Sequence, residues 1–217
     1  MITIPSCSRI AATAALAFGL AAGAFAADDA APAPAAVPAP AGHGLLGQSY
    51  VSLGYSYTDL TDTSVAGNTY GVTINEGIRE GLDTFLEYSH LQSTNTGFGH
   101  LNQQIGDFGV RAFTNVAGMK PYAEAGLGGL WLRAPLVDHE NSFLWFVGTG
   151  VELQATSDLS VTPFVRLSYA NRLDEPRQWD YGAKANYWVT DKIGLMGTLA
   201  RDNSRDTSYG AGLTIRY

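Results

Sequence analysis

From residue 48 to the last residue, the chain is a run of short segments in which apolar and polar residues alternate. That alternation is the constraint any fold must satisfy. Successive side chains on a strand point to opposite faces, so strict alternation makes a strand with one apolar and one polar face. Ten such segments are visible: residues 49–58, 68–76, 82–92, 102–114, 120–133, 142–155, 158–170, 178–189, 192–201 and 209–217. The last is the cleanest. Tyr209, Ala211, Leu213, Ile215 and Tyr217 share one parity, while Ser208, Gly210, Gly212, Thr214 and Arg216 share the other. Upstream, Val51, Leu53, Tyr55 and Tyr57 oppose Ser52, Gly54 and Ser56 in the same way. The second and third segments alternate least cleanly, and Phe85 falls on the polar side of the third.

The connections sort the segments into a barrel. Tight connections surround residues 78–81, 116–119, 156–157 and 190–191, and longer polar ones occupy 59–67, 93–101, 134–141, 171–177 and 202–206. Short turns on one rim and longer loops on the other are the outer-membrane arrangement, with both termini on the short-turn, periplasmic side. The apolar parity carries Tyr57, Tyr70, Tyr88, Trp131, Trp145, Tyr169 and Trp179 near the loop ends, with Tyr187 and Tyr217 near the turn ends. Amphipathic rings prefer a membrane interface, so these residues are expected to form an aromatic girdle. A Lys or Arg on the lipid face at the midplane costs about 2–4 kcal/mol. No charge stands at an apolar-parity position in the middle of the fourth to tenth segments, and Arg201 sits at a strand end, where it can snorkel. The expected fold is all-β: a closed antiparallel transmembrane barrel of about ten strands, with eight as the alternative count.

The region before the barrel divides in two. Residues 1–26 read as a secretory signal, with Arg9 before an Ala/Leu/Phe-rich run and a small-x-small site at Ala24-Phe25-Ala26. Cys7 precedes that run and is lost with it, which leaves no thiol chemistry. Residues 27–45 are an Ala/Pro-rich stretch that favours extended polyproline II and cannot build a core, so a periplasmic linker is expected before a barrel at 46–217. Signal removal takes one of 13 Lys and Arg and none of 20 Asp and Glu, so the net charge moves from −7 to −8. That balance argues against nucleic acid as a partner.

These features resemble the small bacterial outer-membrane β-barrel proteins of the OmpA/OmpX-like kind, over roughly Leu46 to Tyr217. The terminal Tyr209, Leu213, Ile215 and Tyr217 are similar to the recognition pattern read by the barrel-assembly machinery, and the resemblance implies that partner. It carries no catalytic motif.

On the lumen parity stand Glu87, Asp107, Arg111, Glu124, Glu152, Arg166, Asp180, Lys184 and Arg216. Counted from the turn ends, Glu87, Arg111, Glu124, Glu152 and Lys184 fall at similar height, with Asp107, Arg166 and Asp180 higher. A ten-stranded interior is wider than side chains of an eight-stranded one can fill, and buried charges need partners, so an ion-paired network crossing the lumen is expected. The lumen-parity glycines (Gly54, Gly71, Gly109, Gly126, Gly128, Gly148, Gly150, Gly182, Gly194, Gly210 and Gly212) are expected to leave unfilled space for water.

An acidic loop rim (Asp59, Asp62, Asp138, Glu140, Asp174, Glu175, Asp202, Asp206) lacks the spacing of a calcium loop. His90, His100 and His139 lie near that rim, and His90 with Ser93 or Asp138 is the best candidate for a base–nucleophile pair. There is no Gly-x-Ser-x-Gly elbow, and no two histidines stand at metal-ligand spacing. The expectation is therefore a monomeric barrel in a bacterial, Gram-negative outer membrane, in contact with its lipid and lipopolysaccharide. Its expected role is structural, or that of a narrow porin-like conduit for ions and small polar solutes. It is expected to be no enzyme and to hold no cofactor or metal. A rim-sited lipid or peptide hydrolase and a surface-adhesion barrel are the alternatives.

Overall fold

The computed structural model describes residues 44–60, 65–93, 101–134, 137–173 and 176–217; the expected signal, and the Ala/Pro stretch up to residue 43, lie outside them. Ten strands follow one another: β1 (Tyr50–Leu60), β2 (Val65–Arg79), β3 (Leu82–Ser93), β4 (Asn102–Phe113), β5 (Met119–Ala134), β6 (Val137–Gln154), β7 (Leu159–Ala170), β8 (Arg177–Trp188), β9 (Ile193–Asp202) and β10 (Thr207–Arg216). Each pairs antiparallel with its sequence neighbour, and β1 also pairs with β10, so the sheet closes on itself as a barrel. The count is ten, not eight.

The closing seam is held on both faces. Outside, Val51 faces Ile215, Leu53 faces Leu213 and Tyr57 faces Tyr209. Inside, the Ser52 and Thr214 hydroxyls bond at 3.0 Å, and Thr58 and Ser208 at 2.8 Å. Cross-strand pairs of this kind are the unit of sheet stability. Tyr217 donates its phenol to Glu76 Oε2 at 2.8 Å, reaching past β1 to the end of β2.

Local chemistry makes the short-turn rim. Between β4 and β5, Val116 and Met119 exchange both backbone hydrogen bonds around Ala117 (φ 49°) and Gly118 (φ 83°). Two positive φ values make the primed two-residue turn whose twist suits a hairpin. The β6–β7 and β8–β9 turns share another device. Thr156 Oγ1 accepts from the Asp158 and Leu159 N–H groups, and Thr190 Oγ1 from those of Lys192 and Ile193. A threonine that supplies its own acceptor replaces the ladder where the strand stops. On the opposite rim, β5 and β6 run further than expected. Most of the connection anticipated at 134–141 is strand, as is the end of the one anticipated at 59–67. Beyond the apolar band a ladder continues on backbone hydrogen bonds alone and leaves no alternation to read.

The exposed large hydrophobics include Leu53, Ile74, Leu86, Phe108, Leu127, Phe143, Leu195, Leu199 and Leu213, all of the outward parity. A water-soluble surface rarely carries so continuous an apolar band, and a lipid-facing one requires it. Leu127 lies midway along β5. Leu127→Arg is expected to cost about 2–4 kcal/mol of folding free energy in lipid, whereas Val189→Arg at the rim costs about 0–1. Equilibrium urea unfolding into vesicles checks both.

Candidate functional site

The lumen is the candidate site, and register decides what meets inside it. Reading sideways through the ladder, Asp83 faces Arg111, Arg111 faces Glu124, Glu124 faces Gly148, Gly148 faces Arg166, and Arg166 faces Asp180. This one cross-strand row climbs from the turn end of β3 towards the loop end of β8. Gly148 is the gap in it. A Cβ there would lie 2.9 Å from Glu124 Oε1, so only glycine lets the Glu124 side chain lie over β6 and reach Arg166.

Glu124 is clamped from both sides. Arg111 donates to Oε2 from Nε at 3.0 Å and from Nη2 at 2.8 Å. Arg166 donates to Oε1 from Nε at 2.9 Å, and its Nη1 donates to Glu87 Oε2 at 3.0 Å. The same Nη1 stands 3.9 Å from Asp107 Oδ2. Arg166 thus leaves β7 and binds carboxylates on β3, β4 and β5, a chord across the ring. The guanidinium faces are covered as well. Arg111 lies 4.6 Å from the Phe85 ring centroid and 5.2 Å from that of Tyr122, and Arg166 lies 4.3 Å from that of Phe146. Phe85 and Phe146 are themselves 5.9 Å apart. Carboxylates on the edges and rings on the faces satisfy a guanidinium in the two ways its shape allows.

The lumen glycines do not leave the space expected of them. A Cβ at Gly109 would meet the Phe85 and Phe146 rings, one at Gly126 the Phe146 ring, one at Gly128 the Asp107 carboxylate and one at Gly150 the Tyr122 ring. Gly194 is covered by Asn186 and Trp188, and Gly54 approaches the end of Met196. Most are seats for large inward side chains, because a missing Cβ permits close approach. Open space collects on the loop side instead. A cavity of about 290 Å³ lies above the Arg166 layer, between polar Thr73, Ser89, Gln178 and Lys184 and apolar Ile105, Leu130 and Leu144. At about 30 Å³ per molecule that holds roughly ten waters.

Of the remaining inward charges, Asp180 and Lys184 share the cavity wall with Arg166, Glu87 and Asp107, while Arg216 and Glu152 lie towards the turn end. Asp180 accepts from Gln178 Nε2 at 3.0 Å on the cavity wall. Lys184 Nζ stands 5.4 Å from the Phe164 ring centroid, with no ion pair among the described residues. Arg216 covers the Trp188 ring at 4.1 Å and donates to the Asp191 carbonyl. Glu152 belongs to the short-turn mouth, where it lies 3.6 Å from Lys120 Nζ and accepts from the Leu45 and Leu46 N–H groups. Arg166 shares one cross-strand row with Glu124 and Arg111, and because that row climbs towards the loop end, side chains counted at different heights on their own strands still meet.

Outside, Trp145 stacks on Tyr169 at 5.5 Å, Tyr55 tilts against Tyr70 at 5.4 Å, and Tyr57, Tyr88, Trp131, Tyr187 and Tyr209 are exposed. Trp179 is half-buried, and its backbone N–H donates to Asn203 Oδ1. The candidate catalytic pair does not assemble. His90 and Ser93 differ in parity; His90 Nε2 lies 3.5 Å from Asn102 Oδ1, while Ser93 Oγ accepts from the Leu101 N–H at 2.8 Å. His100, Asp62, Asp174 and Glu175 lie outside the described residues, and the side chains of Asp138 and His139 are likewise undescribed.

Sequence reasoning missed the apolar half of the lumen. Tyr50, Tyr122, Leu130, Leu144, Phe146 and Trp188 are buried there, and Phe85, Leu130, Leu144 and Phe146 form one cluster. Their parity, shared with Glu124, Gly148 and Lys184, was the available signal.

Closed topology, an apolar exterior and a charged, ring-filled interior define the class: a small outer-membrane-type β-barrel. In fold it is similar to the N-terminal β-barrel domain of Pseudomonas aeruginosa OprF, at 12% identity and TM-score 0.44 over 78% of this chain and 98% of that one. It is also similar to Neisserial surface protein A, at 12% identity and TM-score 0.45 over 77% and 95%, and to the NanC porin, at 11% identity and TM-score 0.48 over 77% and 100%. No family model matches the chain, and no curated protein matches it.

Proposed function

We propose that the protein is a structural outer-membrane barrel whose lumen is a narrow conduit for ions and small polar solutes, restricted by a septum of paired charges. The observation that carries this is Arg166 on β7, which bridges Glu87 on β3 and Glu124 on β5 beneath the outer cavity of about 290 Å³. The septum is polar and held by hydrogen bonds, and a hydrated ion can exchange partners along it. In this reading the residue 1–26 signal is cleaved and residues 27–45 link the barrel to the periplasm. The outward Tyr209, Leu213, Ile215 and Tyr217 are what the assembly machinery engages, and lipopolysaccharide surrounds the loop rim.

Arg111→Ala combined with Arg166→Ala is expected to raise single-channel conductance in planar bilayers several-fold. It should also shift the reversal potential towards cation selectivity, since Glu87, Asp107 and Glu124 then line the lumen without their guanidinium partners. Absence of conductance in the parent, in this variant and in this variant with Lys120→Ala and Glu152→Ala added at the short-turn mouth removes the conduit and leaves a structural barrel.

A further inference from the structure

The chain that precedes β1 does not leave the barrel at its short-turn mouth but turns across it. Going backward from β1, Ser49 Oγ accepts from the Gly77 N–H of β2 at 3.3 Å, and the Gln48 carbonyl accepts from Asn75 Nδ2 of β2 at 2.8 Å. The Gly47 N–H donates to Asp83 Oδ2 of β3 at 3.0 Å. The Leu46 carbonyl accepts from Lys120 Nζ of β5 at 2.8 Å. The N–H groups of Leu45 and Leu46 both donate to Glu152 Oε2 of β6, at 2.6 and 3.2 Å. The anchors advance strand by strand, and β6 stands opposite β1 in a ring of ten. Of the segment's two leucines, Leu46 is the buried one, only 4% exposed, and Leu45 is half-buried.

What the wall offers this segment is a set of backbone partners. Asp83 and Glu152 are 0% and 2% exposed, and a buried carboxylate is costly unless hydrogen-bonded. Here they take peptide N–H groups, while Lys120 and Asn75 take peptide carbonyls. Two features of the segment itself suit it to the path. Gly47 has φ +83°, where a side chain is strained, and a Cβ on Gly44 would overlap the Glu152 carboxylate.

We propose that the short-turn mouth is a binding site for a peptide backbone that buries one apolar side chain, filled in cis by residues 44–48 as a stopper whose release opens the lumen. The stopper and the Arg166 septum are two constrictions in series, so this gating role rests on the conduit reading above.

The test uses the full chain with Cys7→Ser and Leu46→Cys, a membrane-impermeant maleimide to report seating, and bilayer conductance to report opening. Release is made from the wall by Lys120→Ala with Glu152→Ala, and independently from the segment by Gly47→Val, so that misfolding of either leaves the other. Maleimide labelling is expected to be at least tenfold faster in both release variants than in the parent. Conductance is expected to rise severalfold further when release is combined with Arg111→Ala and Arg166→Ala. A synthetic peptide of residues 44–49, added to the Gly47→Val barrel, is expected to slow labelling and lower conductance again. Equal labelling in parent and release variants overturns the site. Faster labelling with no added conductance over a conducting septum variant overturns the stopper while the conduit stands. No conductance in any combination ends the conduit reading and the gating role with it, and the labelling and peptide arms still decide whether the mouth holds a peptide.

Discussion

Arg166→Ala should be among the most damaging single changes in the lumen, lowering unfolding free energy by about 3–5 kcal/mol, the cost of removing one partner from a buried ionic cluster. The arrangement explains why. Glu87 and Asp107 face each other directly across β3 and β4, and like charges in that position destabilise a sheet. Arg166 Nη1 lies against both. Glu124 still has Arg111 when Arg166 is gone, but Glu87 loses its closest guanidinium and Asp107 the nearest positive group paired with it. Adding Glu87→Gln to Arg166→Ala is therefore expected to recover at least about 1 kcal/mol, although it removes another charge. Arg166→Lys should fall between, because one ammonium cannot reproduce the fork that holds Glu124 and Glu87 together. Urea unfolding in micelles, followed by tryptophan fluorescence and gel mobility, gives the values. A loss under about 1 kcal/mol for Arg166→Ala would mean that water solvates these acids and the septum adds little.

The barrel was legible in the sequence because lipid enforces it: the outward positions of membrane strands must be mostly apolar, and between Val51 and Tyr217 most of them are. The hairpin turns were legible for local reasons, as Ala117-Gly118 and the two threonine turns show. The lumen was less so, because nothing enforces one chemistry there. Phe146 and Leu144 sit on the same parity as Gly148 and Glu152, and alternation read by residue type passes over them. Seen as a position, Phe146 is a lumen residue; seen as a phenylalanine, it looks like an error in the pattern. The pairing of Arg166 with Glu124 needs the register across β5, β6 and β7, which turn-to-residue counting does not supply. The short-turn stopper left almost no trace, since its anchors are backbone groups. Gly44 and Gly47 were its only marks, and a glycine beside a Pro-rich linker reads as more linker.

The same ambiguity makes the glycines the sharpest remaining test of how the interior is filled. Phe146 is 1% exposed, its ring against both Phe85 and the Arg166 guanidinium, which also lies 5.9 Å from the Phe85 ring centroid. Phe146→Ala is expected to cost about 3–5 kcal/mol, the usual range for emptying a packed aromatic site. Gly109→Ala places a methyl 2.5 Å from Phe85 Cζ, 2.9 Å from Phe146 Cζ and 3.0 Å from the Ala125 carbonyl oxygen. With both rings held from behind by arginines, that crowding is expected to cost about 1–3 kcal/mol. The two losses should not add. Once Phe146 is alanine, one contact disappears and Phe85 gains room to retreat from the new methyl, so the double variant should be more stable than the sum predicts by at least about 1 kcal/mol. Glycines that were merely thin places in the wall would show no such coupling, because a methyl pointing into open water meets no ring. An additive double-mutant cycle would restore the water-filled lumen that the sequence suggested, whereas coupling would show this part of the interior to be packed and leave the loop-side cavity, lined in part by Gly71, Thr73 and Lys184, as its open space.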